Sequence, residues 1–361
     1  MSVTPYTILV IPGDGIGREV IPAAVSVLQA TGLPLRFVEA DAGWECFQRQ
    51  GDALPPATLE AARAADAVLF GAVASPSHPV VGYRSPIVRL RRELDLYANI
   101  RPVYDDPAAA GNLQARRVDL VVVRENTEGL YAGRERVEDG GATAIAERVI
   151  TRRASERIAR VAFELARNRR IARGEDSTPP ARVTIVHKAN ILRETCGLFR
   201  TAALEIAQAY PDVQVEEMLV DTCALQIATR PERFDVIVTT NLFGDILSDV
   251  ACAWGGGLGL ASSANLGERH ALFEPVHGAA PDIAGKGIAN PLAAIGCTAL
   301  LLAYLARRAS PEDASDMNAW STRIQRAIRH IRTAGPHTPD LGDNAVTSQM
   351  TDAVIAHMLT T

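Results

Sequence analysis

The sequence predicts an α/β protein with a largely parallel sheet. Short apolar runs of strand length alternate with longer segments in which apolar residues recur at helical spacing, and this alternation is typical of parallel sheets with crossover helices. The chain of 361 residues is long enough for two domains or one large α/β unit. The strand-like runs are residues 8–11, 67–70, 118–123, 183–187 and 236–239.

The composition argues against nucleic-acid and membrane partners. The net charge is -5 and no long block of like charge occurs. The longest apolar stretch, residues 292–306, is shorter than the roughly 18–20 residues of a membrane span and predicts a buried helix instead. A strand-like run begins near the N-terminus, so we expect no cleaved signal sequence. Five scattered cysteines without CxxC spacing predict reduced thiols, and we expect a cytoplasmic protein.

The first strand-like run leads into Pro12-Gly-Asp-Gly-Ile-Gly17 and then a helix predicted from about Gly17 to Thr31. This spacing matches neither a dinucleotide fingerprint nor a P-loop. We interpret the glycines as a tight strand-to-helix turn that approaches a neighbouring backbone closely. A second helix is predicted over residues 56–64.

A helix is predicted to begin after Ser85, because Ser85 suits an N-cap and Pro86 the first helical position. Its buried stripe consists of Ile87, Leu90 and Leu94. A neighbouring stripe is formed by Ser85, Val88 and Arg91, which are spaced three residues apart. These residues present a hydroxyl, an aliphatic group and a guanidinium.

Charged and polar side chains follow several of the strand-like runs. Arg124 ends the apolar strand 121–123, and a charge in that position usually has a partner, plausibly an anionic ligand. Arg101 lies beyond the predicted helix, while Tyr131 and Lys188 add a phenol and an amine to strand-end loops. Taken alone, Tyr131 and Lys188 are more often structural. Together with the three arginines at 91, 101 and 124 and a pair of carboxylates, they predict a site for a polycarboxylate.

The most informative segment is Asn241–Asp249, where Asn-Leu-Phe-Gly turns a β-rich run into a helix. Asp245 and Asp249 are one helical turn apart and share a face. Two carboxylates so close repel each other unless a cation lies between them, and oxygen ligands suit Mg²⁺ or Mn²⁺. An isolated pair of this kind is more often a solvated acidic face. The other motifs favour the metal site.

Three further segments have a predicted organisation. Residues 132–141 are charged and end in Gly-Gly, which predicts a projecting arm or hairpin. A helix with one apolar side is predicted to begin at Ser155, and residues 173–180 form a polar linker before the next strand.

With these motifs the chain resembles the metal-dependent β-decarboxylating dehydrogenases, which act on isocitrate, 3-isopropylmalate, homoisocitrate, or tartrate and malate. The segments that carry the resemblance are residues 11–17, 124–131, 241–249, 274–290 and 335–342. The resemblance implies an isocitrate/isopropylmalate dehydrogenase-like α/β fold, with two domains around a central sheet, which is not a Rossmann fold.

The resemblance also implies a domain division and an oligomer. Residues 1–102 and 256–361 would form a large cofactor-binding domain, and residues 103–255 a small domain with the metal and catalytic residues. An arm near Ala132–Ala146 would interlock with its twin in a homodimer or a dimer of dimers with shared active sites.

Site residues follow from the same resemblance. Asp245 and Asp249 would hold the metal ion together with Asp221 of the partner subunit. Lys188, helped by Asp221, would take the hydroxyl proton while hydride leaves for the nicotinamide, and Tyr131 would protonate the enol carbon after decarboxylation. The implied substrate-binding residues are Ser75, Ser85, Val88, Arg91, Arg101, Arg124, Tyr131, Lys188 and Asn190.

The implied coenzyme is NAD. Asp282 would accept hydrogen bonds from the adenosine ribose, and a carboxylate there repels the 2′-phosphate of NADP. The implied cofactor-binding residues are Asn190, His277, Gly278, Ala279, Ala280, Pro281, Asp282 and Asn290.

The helix after Ser85 faces the variable group of the substrate in this family. Polar Ser85 disfavours the isopropyl group of isopropylmalate, and Ile87 stands where isocitrate enzymes carry Asn. Ser-Pro-Ile-Val-x-Leu-Arg-Arg resembles the homoisocitrate enzymes of α-aminoadipate lysine synthesis, where Val88 leaves space for an extra methylene. We therefore predict NAD-dependent conversion of homoisocitrate, a tricarboxylate hydroxy acid, to 2-oxoadipate. The alternatives are isocitrate, then isopropylmalate or tartrate/malate, or a regulatory subunit of a hetero-oligomeric relative.

Overall fold

The computed structural model describes residues 5–105, 118–173 and 180–360. Within these residues the chain forms twelve β-strands and eleven α-helices. The strands are β1 (Tyr6–Gly13), β2 (Leu35–Glu39), β3 (Ala67–Ala72), β4 (Ala98–Tyr104), β5 (Asp119–Glu125), β6 (Glu135–Glu138), β7 (Thr143–Ala146), β8 (Arg182–His187), β9 (Gln214–Leu219), β10 (Val236–Thr239), β11 (Ser262–Leu266) and β12 (Ala271–Pro275). The helices are α1 (Gly17–Ala30), α2 (Trp44–Gln50), α3 (Pro56–Ala64), α4 (Pro86–Glu93), α5 (Arg152–Arg173), α6 (Arg193–Ala207), α7 (Val220–Thr229), α8 (Asn241–Cys252), α9 (Leu292–Ala306), α10 (Pro311–Ala334) and α11 (Thr347–Thr360).

The described residues fall into two compact units. The first unit consists of residues 5–96 and 256–360, and the second of residues 97–105, 118–173 and 180–255. Most of the predicted linker 173–180, namely residues 174–179, lies outside the described residues.

The first unit is built on the strand order β2-β1-β3-β12-β11. Its strands pair in parallel except β11 and β12, which are antiparallel. Helices α1 and α9 pack on these strands, and α10 and α11 pack against the two helices. Helix α9 is apolar on nearly every side and almost completely buried, which confirms the buried helix predicted for residues 292–306. Among the described residues no helix combines the length and apolarity that crossing a bilayer requires.

The second unit has the strand order β4-β5-β10-β8-β9. Strands β4 and β5 are antiparallel and the other pairs are parallel, so the predicted largely parallel arrangement is confirmed in both units. Helices α5 and α8 cover strand β5, and the valine-rich interiors of β5 and β10 are buried. Because β5, β8 and β10 are parallel, their carboxyl ends meet at one edge of this sheet. Residue 124 lies at the end of β5, and residues 188 and 241 follow β8 and β10 there.

The glycine-rich turn between β1 and α1 approaches a neighbouring backbone, as predicted. Gly15 has a φ of +55°, and a Cβ atom built on it would lie 2.1 Å from the carbonyl oxygen of Ala279. The same oxygen accepts a hydrogen bond of 2.9 Å from the Ile16 N–H. Only glycine therefore fits at position 15 without moving the 278–282 loop.

Asp14, between those glycines, is a structural residue that the sequence did not mark. Its buried carboxylate accepts backbone hydrogen bonds from Trp44 at 2.7 Å, Glu45 at 3.0 Å and Ala74 at 2.9 Å. The carboxylate thus satisfies the free N–H groups at the start of α2 and joins that helix to the segment after β3.

Two predicted features of the second unit can be checked directly. Strands β6 and β7 form an antiparallel hairpin with exposed side chains on β6, which confirms a projecting hairpin in this region. Helix α5 begins at Arg152, three residues before the predicted start at Ser155. The reason is Thr151, whose hydroxyl accepts the Ala154 N–H at 3.1 Å and caps the helix earlier.

Replacing Gly15 by alanine tests the close approach to Ala279. Gly32 is the matched control, because its φ is +69° but no atom lies within 4 Å of a built Cβ. We expect Gly32→Ala to cost about 1 kcal/mol of unfolding free energy through backbone strain alone. Gly15→Ala should cost a further ~1–3 kcal/mol through the clash. Urea unfolding of both variants measures the difference, and equal costs would contradict the contact.

Candidate active site

Arg124 is the centre of the charged cluster at the end of β5. Its side chain is 1% exposed and is the largest fully buried side chain among the described residues. Two nitrogens of its guanidinium, Nε and Nη2, donate to Asn241 Oδ1 at 3.0 and 2.7 Å, and Nη1 is paired with Asp245. Asn241 and Asp245 both belong to α8. The first turns of this helix therefore supply the partners that a buried guanidinium requires.

Gly244 allows α8 to lie this close to β5. A Cβ atom at position 244 would be 2.6 Å from both Cβ and Cγ of Arg124. The glycine of the Asn-Leu-Phe-Gly-Asp motif is thus explained by packing on the arginine, since any larger side chain would push the helix away from it.

Asp245 and Asp249 contact the remaining residues of the cluster, Tyr131 and Arg101. Tyr131, in a short 3₁₀ turn over Leu130–Ala132, donates its hydroxyl to Asp245 Oδ2 at 2.6 Å. Arg101, also buried, contacts Asp245 Oδ1 through Nη2 at 3.3 Å and donates from Nη1 to Asp249 Oδ1 at 3.2 Å. Arg101, Arg124 and Tyr131, which the sequence singled out, are therefore brought together around one helix face.

Burial raises the pKa of two groups in this cluster. For the Tyr131 phenol, burial is the largest cause, and its bond to Asp245 raises the pKa further. For Asp249, burial raises the pKa while Arg101 opposes the shift. Tyr131 therefore keeps its proton at neutral pH, as a residue that donates a proton late in a reaction must.

Asp245 and Asp249 fit a divalent cation. The Arg101 guanidinium contacts both carboxylates, at 3.3 and 3.2 Å, so a single cationic group can reach the two together. Mg²⁺ prefers about six oxygen ligands, of which two carboxylates are only part. In the described part of the chain no three His, Cys, Asp or Glu side chains are grouped closely enough to hold a metal. Asp245 and Asp249 would therefore supply only part of the coordination.

Lys188 and Asp221 form a second pair of functional groups. Lys188 Nζ lies 2.5 Å from Asp221 Oδ1, and the bond from Lys188 is the main cause of a lowered pKa of Asp221. Both follow neighbouring parallel strands, since His187 at the end of β8 pairs with Leu219 at the end of β9. The pair belongs to one chain. A partner that supplies Asp221 to a site therefore supplies Lys188 with it.

The predicted substrate helix is present as α4, with Ser85 at its N-cap position and Pro86 at its first turn. Leu90 and Leu94 are buried and Ile87 packs against the same core, as predicted. Ser85 makes no side-chain capping bond, although the sequence suggested one. Val88 is half-buried, whereas Ser75, in the loop before the helix, is exposed.

Arg91, on the same helix, is oriented by Glu274 of β12. Its Nη2 lies 2.8 Å from Glu274 Oε1, and Asn265 donates to that same oxygen at 2.8 Å. Its Nε is buried and has no hydrogen-bond partner among the described residues. A donor left unpaired in this way suits an anionic ligand.

The residues predicted to bind the cofactor lie in the loop after β12. Ala280 has a φ of +40°, a conformation that non-glycine residues rarely adopt, and Asp282 is exposed. His277 Nδ1 lies 3.0 Å from the Gly278 carbonyl, while its Nε2 is buried without a partner. Burial lowers the pKa of His277, so the ring is neutral at physiological pH.

The other two predicted cofactor residues lie apart in the chain. Asn290 donates to Asp340 Oδ2 at 2.9 Å and accepts the Leu292 N–H at 3.0 Å, which starts α9. Asn190 is exposed in the turn after Lys188. Pro281, between Ala280 and Asp282, is also exposed.

Four partner residues were missed from the sequence: Asn99, Asn241, Ser248 and Glu274. Arg101 donates from Nε to Asn99 Oδ1 at 2.8 Å and from Nη1 to Ser248 Oγ at 2.7 Å. All four are buried polar side chains next to a predicted arginine contact. For Asn241, Ser248 and Glu274 the position inside the motifs was the available signal, because a buried arginine needs such partners, whereas Asn99 lies outside the motifs.

Comparisons of the sequence and of the structure with known proteins agree on one family of dehydrogenases. The family described as isocitrate/isopropylmalate dehydrogenase matches residues 7–354. The isocitrate/homoisocitrate dehydrogenase of Thermus thermophilus is 51% identical over 350 residues, 97% of this chain and 98% of that protein. The 3-isopropylmalate/3-methylmalate dehydrogenase of Methanocaldococcus jannaschii is 49% identical over 351 residues, 97% of this chain and 98% of that protein. The crystal structure of isocitrate dehydrogenase from Methylococcus capsulatus has a TM-score of 0.86 at 43% identity and covers 98% of this chain and 99% of that one.

Replacing Gly244 by alanine tests the close packing of α8 on the Arg124 side chain. Gly197 in α6 is the matched control, because it is also helical but has no atom within 4 Å of a built Cβ. Gly197→Ala should stabilise the protein by about 0.5–1 kcal/mol through helix propensity. Gly244→Ala should lose ~1–3 kcal/mol through overpacking. Thermal unfolding measures both changes, and a stabilised Gly244→Ala would show that the helix does not rest on Arg124.

Proposed function

Since this chain belongs to the isocitrate/isopropylmalate dehydrogenase family, we propose that it converts homoisocitrate to 2-oxoadipate with NAD⁺ and Mg²⁺ or Mn²⁺. The chain is an enzyme, a decarboxylating hydroxy-acid dehydrogenase, with the α/β fold of that family. Our proposal concerns which hydroxy acid is the substrate, which coenzyme is used, and a role in lysine synthesis. The alternative of a silent regulatory subunit is disfavoured, because the residues for the metal and for acid–base chemistry are all present: Tyr131, Lys188, Asp221, Asp245 and Asp249.

The observation that carries the proposed reaction is the cluster around Asp245. Arg101 and Arg124 are buried and already oriented by α8, so their guanidinium groups are preorganised for carboxylates. We assign these two and Arg91 to the carboxylates of the substrate. An acid with three carboxylates fits three guanidinium groups better than one with two.

The acid–base steps are assigned to residues of this chain. The divalent ion, when bound at Asp245 and Asp249, supplies Lewis-acid polarisation of the substrate's hydroxyl and carboxylate oxygens. Lys188 Nζ would pass a proton to the adjacent Asp221 carboxylate and accept the hydroxyl proton in its place, while hydride would leave the adjacent carbon for the nicotinamide. After the carboxyl group leaves, Tyr131 Oη donates its proton to the enol carbon. Because its pKa is raised, Tyr131 is protonated at neutral pH and has a proton to give at this step.

Helix α4 supports homoisocitrate as the substrate. Ile87 packs into the core, so a side chain at this position does not provide the amide found in isocitrate enzymes. Ser85 is not used as a side-chain cap of its own helix, which leaves its hydroxyl for the distal carboxylate. Val88 is short and leaves space for the additional methylene.

Isocitrate is the second candidate. One methylene is worth only about 1–3 kcal/mol of discrimination in a pocket. The Thermus relative carries both isocitrate and homoisocitrate in its name, which supports shared use of the two acids here. Polar Ser85 disfavours isopropylmalate, and tartrate or malate lacks the third carboxylate.

Asp282 supports NAD⁺ as the coenzyme. It is exposed in the loop whose backbone is fixed by the Ile16–Ala279 hydrogen bond, and a carboxylate there would bind ribose hydroxyls and repel a 2′-phosphate. We assign His277, Gly278 to Pro281, Asn190 and Asn290 to the cofactor as well.

We also propose a homodimer, or a dimer of dimers, with shared active sites. The β6–β7 hairpin has exposed side chains and includes Val137, which is 68% exposed. An isolated two-stranded hairpin is marginally stable in water, so covering it with the hairpin of a second copy would stabilise it.

Specificity constants for homoisocitrate, isocitrate, isopropylmalate and malate, each with NAD⁺ and NADP⁺, test the proposed substrate and coenzyme. We expect homoisocitrate with NAD⁺ to rank first and a chelator to abolish the reaction. We further expect Val88→Arg to shift the preference toward isocitrate by about tenfold or more, because a longer side chain fills the space for the methylene. Val38→Arg, at an exposed strand position, is the control. Indifference of the wild type to homoisocitrate would refute the substrate assignment.

Tyr131→Phe tests the assigned proton donor. The variant should process the isolated keto-acid intermediate about 10²–10⁴-fold more slowly than the wild type, because the acid that protonates the enol carbon is missing. Hydride transfer from the hydroxy acid should fall less. Tyr210→Phe, where the ring stacks on Phe163 away from the cluster, is the control. Normal handling of the intermediate by Tyr131→Phe would show that another group donates the proton.

A further inference from the structure

Arg148, two residues after β7, has an unusual set of partners. Its Nη1 donates to Thr195 Oγ1 at 3.2 Å and to Cys196 Sγ at 3.0 Å. Its Nη2 donates to Thr240 Oγ1 at 2.8 Å, and its guanidinium carbon lies 4.9 Å from the centre of the Phe243 ring. These partners are neutral, and they belong to two different functional elements of the second unit.

One side of Arg148 reaches the turn that carries Lys188. The Cys196 sulfur that accepts from Arg148 also accepts the Lys188 N–H at 3.2 Å. The turn is closed by the Leu192 N–H, which donates to the Lys188 carbonyl at 2.8 Å, and the Ala189 N–H donates to His187 Nδ1 at 3.2 Å. The backbone of Lys188 is thus held by a thiol that Arg148 holds in turn.

The other side of Arg148 reaches the start of α8. Thr240 is the N-cap residue of this helix, is buried, and its carbonyl accepts the Gly244 N–H at 2.8 Å. Phe243 lies one residue before Gly244 and two before Asp245. A guanidinium fixed on both Thr240 and Phe243 therefore fixes the helical turn from which Asp245 projects.

We propose that Arg148 is a positioning residue that holds both the Lys188 turn and the Asp245 turn of one chain, which in the proposed dimer contribute to two different active sites. The inference rests on the roles proposed above for Lys188 and Asp245. A planar group with donors on two sides can bridge two elements in this way, whereas the single ammonium of a lysine cannot. Loss of Arg148 would leave both functional groups present but free to shift, and catalysis is sensitive to displacements of this kind.

Steady-state kinetics on the full-length chain test this role. We expect Arg148→Met to lower kcat by about tenfold to hundredfold, because a displacement near 1 Å has that order of effect. Arg148→Lys should stay closer to Arg148→Met than to the wild type, since charge alone does not bridge. Thr240→Val should lower kcat in the wild type but not further in Arg148→Met.

The matched control is Arg167→Met. Arg167 also combines side-chain hydrogen bonds, to Asp212, with a position over an aromatic ring, 4.7 Å from that of Tyr210, but lies on the surface. Its loss should leave kcat unchanged. Full activity of Arg148→Lys, or an equal loss in Arg167→Met, would overturn the bridging role.

Amide hydrogen exchange separates this inference from the proposed function. The kinetic test uses whichever acid the wild type oxidises fastest, so a wrong substrate assignment does not affect it. If the wild type oxidises none of the acids, the proposed function fails, and exchange still decides the inference. We expect faster exchange of residues 188–196 and 240–247 together in Arg148→Met and not in Arg167→Met. An increase confined to the residues around position 148 would overturn the bridge.

Discussion

The compensation of the buried Arg124 charge by Asn241 and Asp245 is the interaction on which the second unit's site depends. A guanidinium that is 1% exposed is costly unless its donors are paired, and α8 provides both an amide and a carboxylate for it. Because that helix has to approach β5 closely, position 244 is glycine. The carboxylate fixed in this way then receives the Tyr131 hydroxyl and the edge of Arg101. The pairing of this one buried charge therefore places a phenol, two arginines and two carboxylates.

The same balance relates the cluster to its proposed chemistry. The two aspartates share Arg101 and are not left to repel each other, so the negative charges are held in place by cations of the protein itself. A divalent ion and a polycarboxylate carry complementary charges. If both were to bind as proposed, the aspartates would exchange a guanidinium for the ion, and the guanidinium groups would exchange an aspartate for the substrate. Such an exchange keeps buried charges paired throughout.

Much of the fold could be predicted from the sequence, because strand and helix periodicities are local. The strand at 236–239, the helix at 56–64 and the apolar helix at 292–306 have the predicted bounds. The family and the α/β fold class inferred from the motifs are confirmed by the match over residues 7–354. The start of α5 was misplaced because a threonine hydroxyl outside the apolar pattern caps it.

The candidate site was less accessible from the sequence, and the reason is physical. Residue types and their places in the motifs indicated Arg101, Arg124, Lys188 and Asp245, but not which protein groups they contact. In the structure Arg124 pairs with an aspartate of the same chain, a contact that the sequence did not indicate. Glu274 lies far along the chain from Arg91, which it orients. Asn99 is only two residues from Arg101, but no sequence pattern marks it as the partner of that arginine. Long-range pairing of this kind leaves no periodic signal in one sequence.

The parallel register of β8 and β9 has a consequence for how this protein can tolerate changes in chain length. Lys188 and Asp221 meet because each follows the end of its own strand, and the pairing of His187 with Leu219 aligns those ends. The crossover between the two strands does not set this alignment, so a loop inserted after α6 leaves the ion pair intact. One residue inserted within β9 would instead turn every following side chain to the opposite face. Insertions in homologous chains are therefore expected in the crossover and not in the strands.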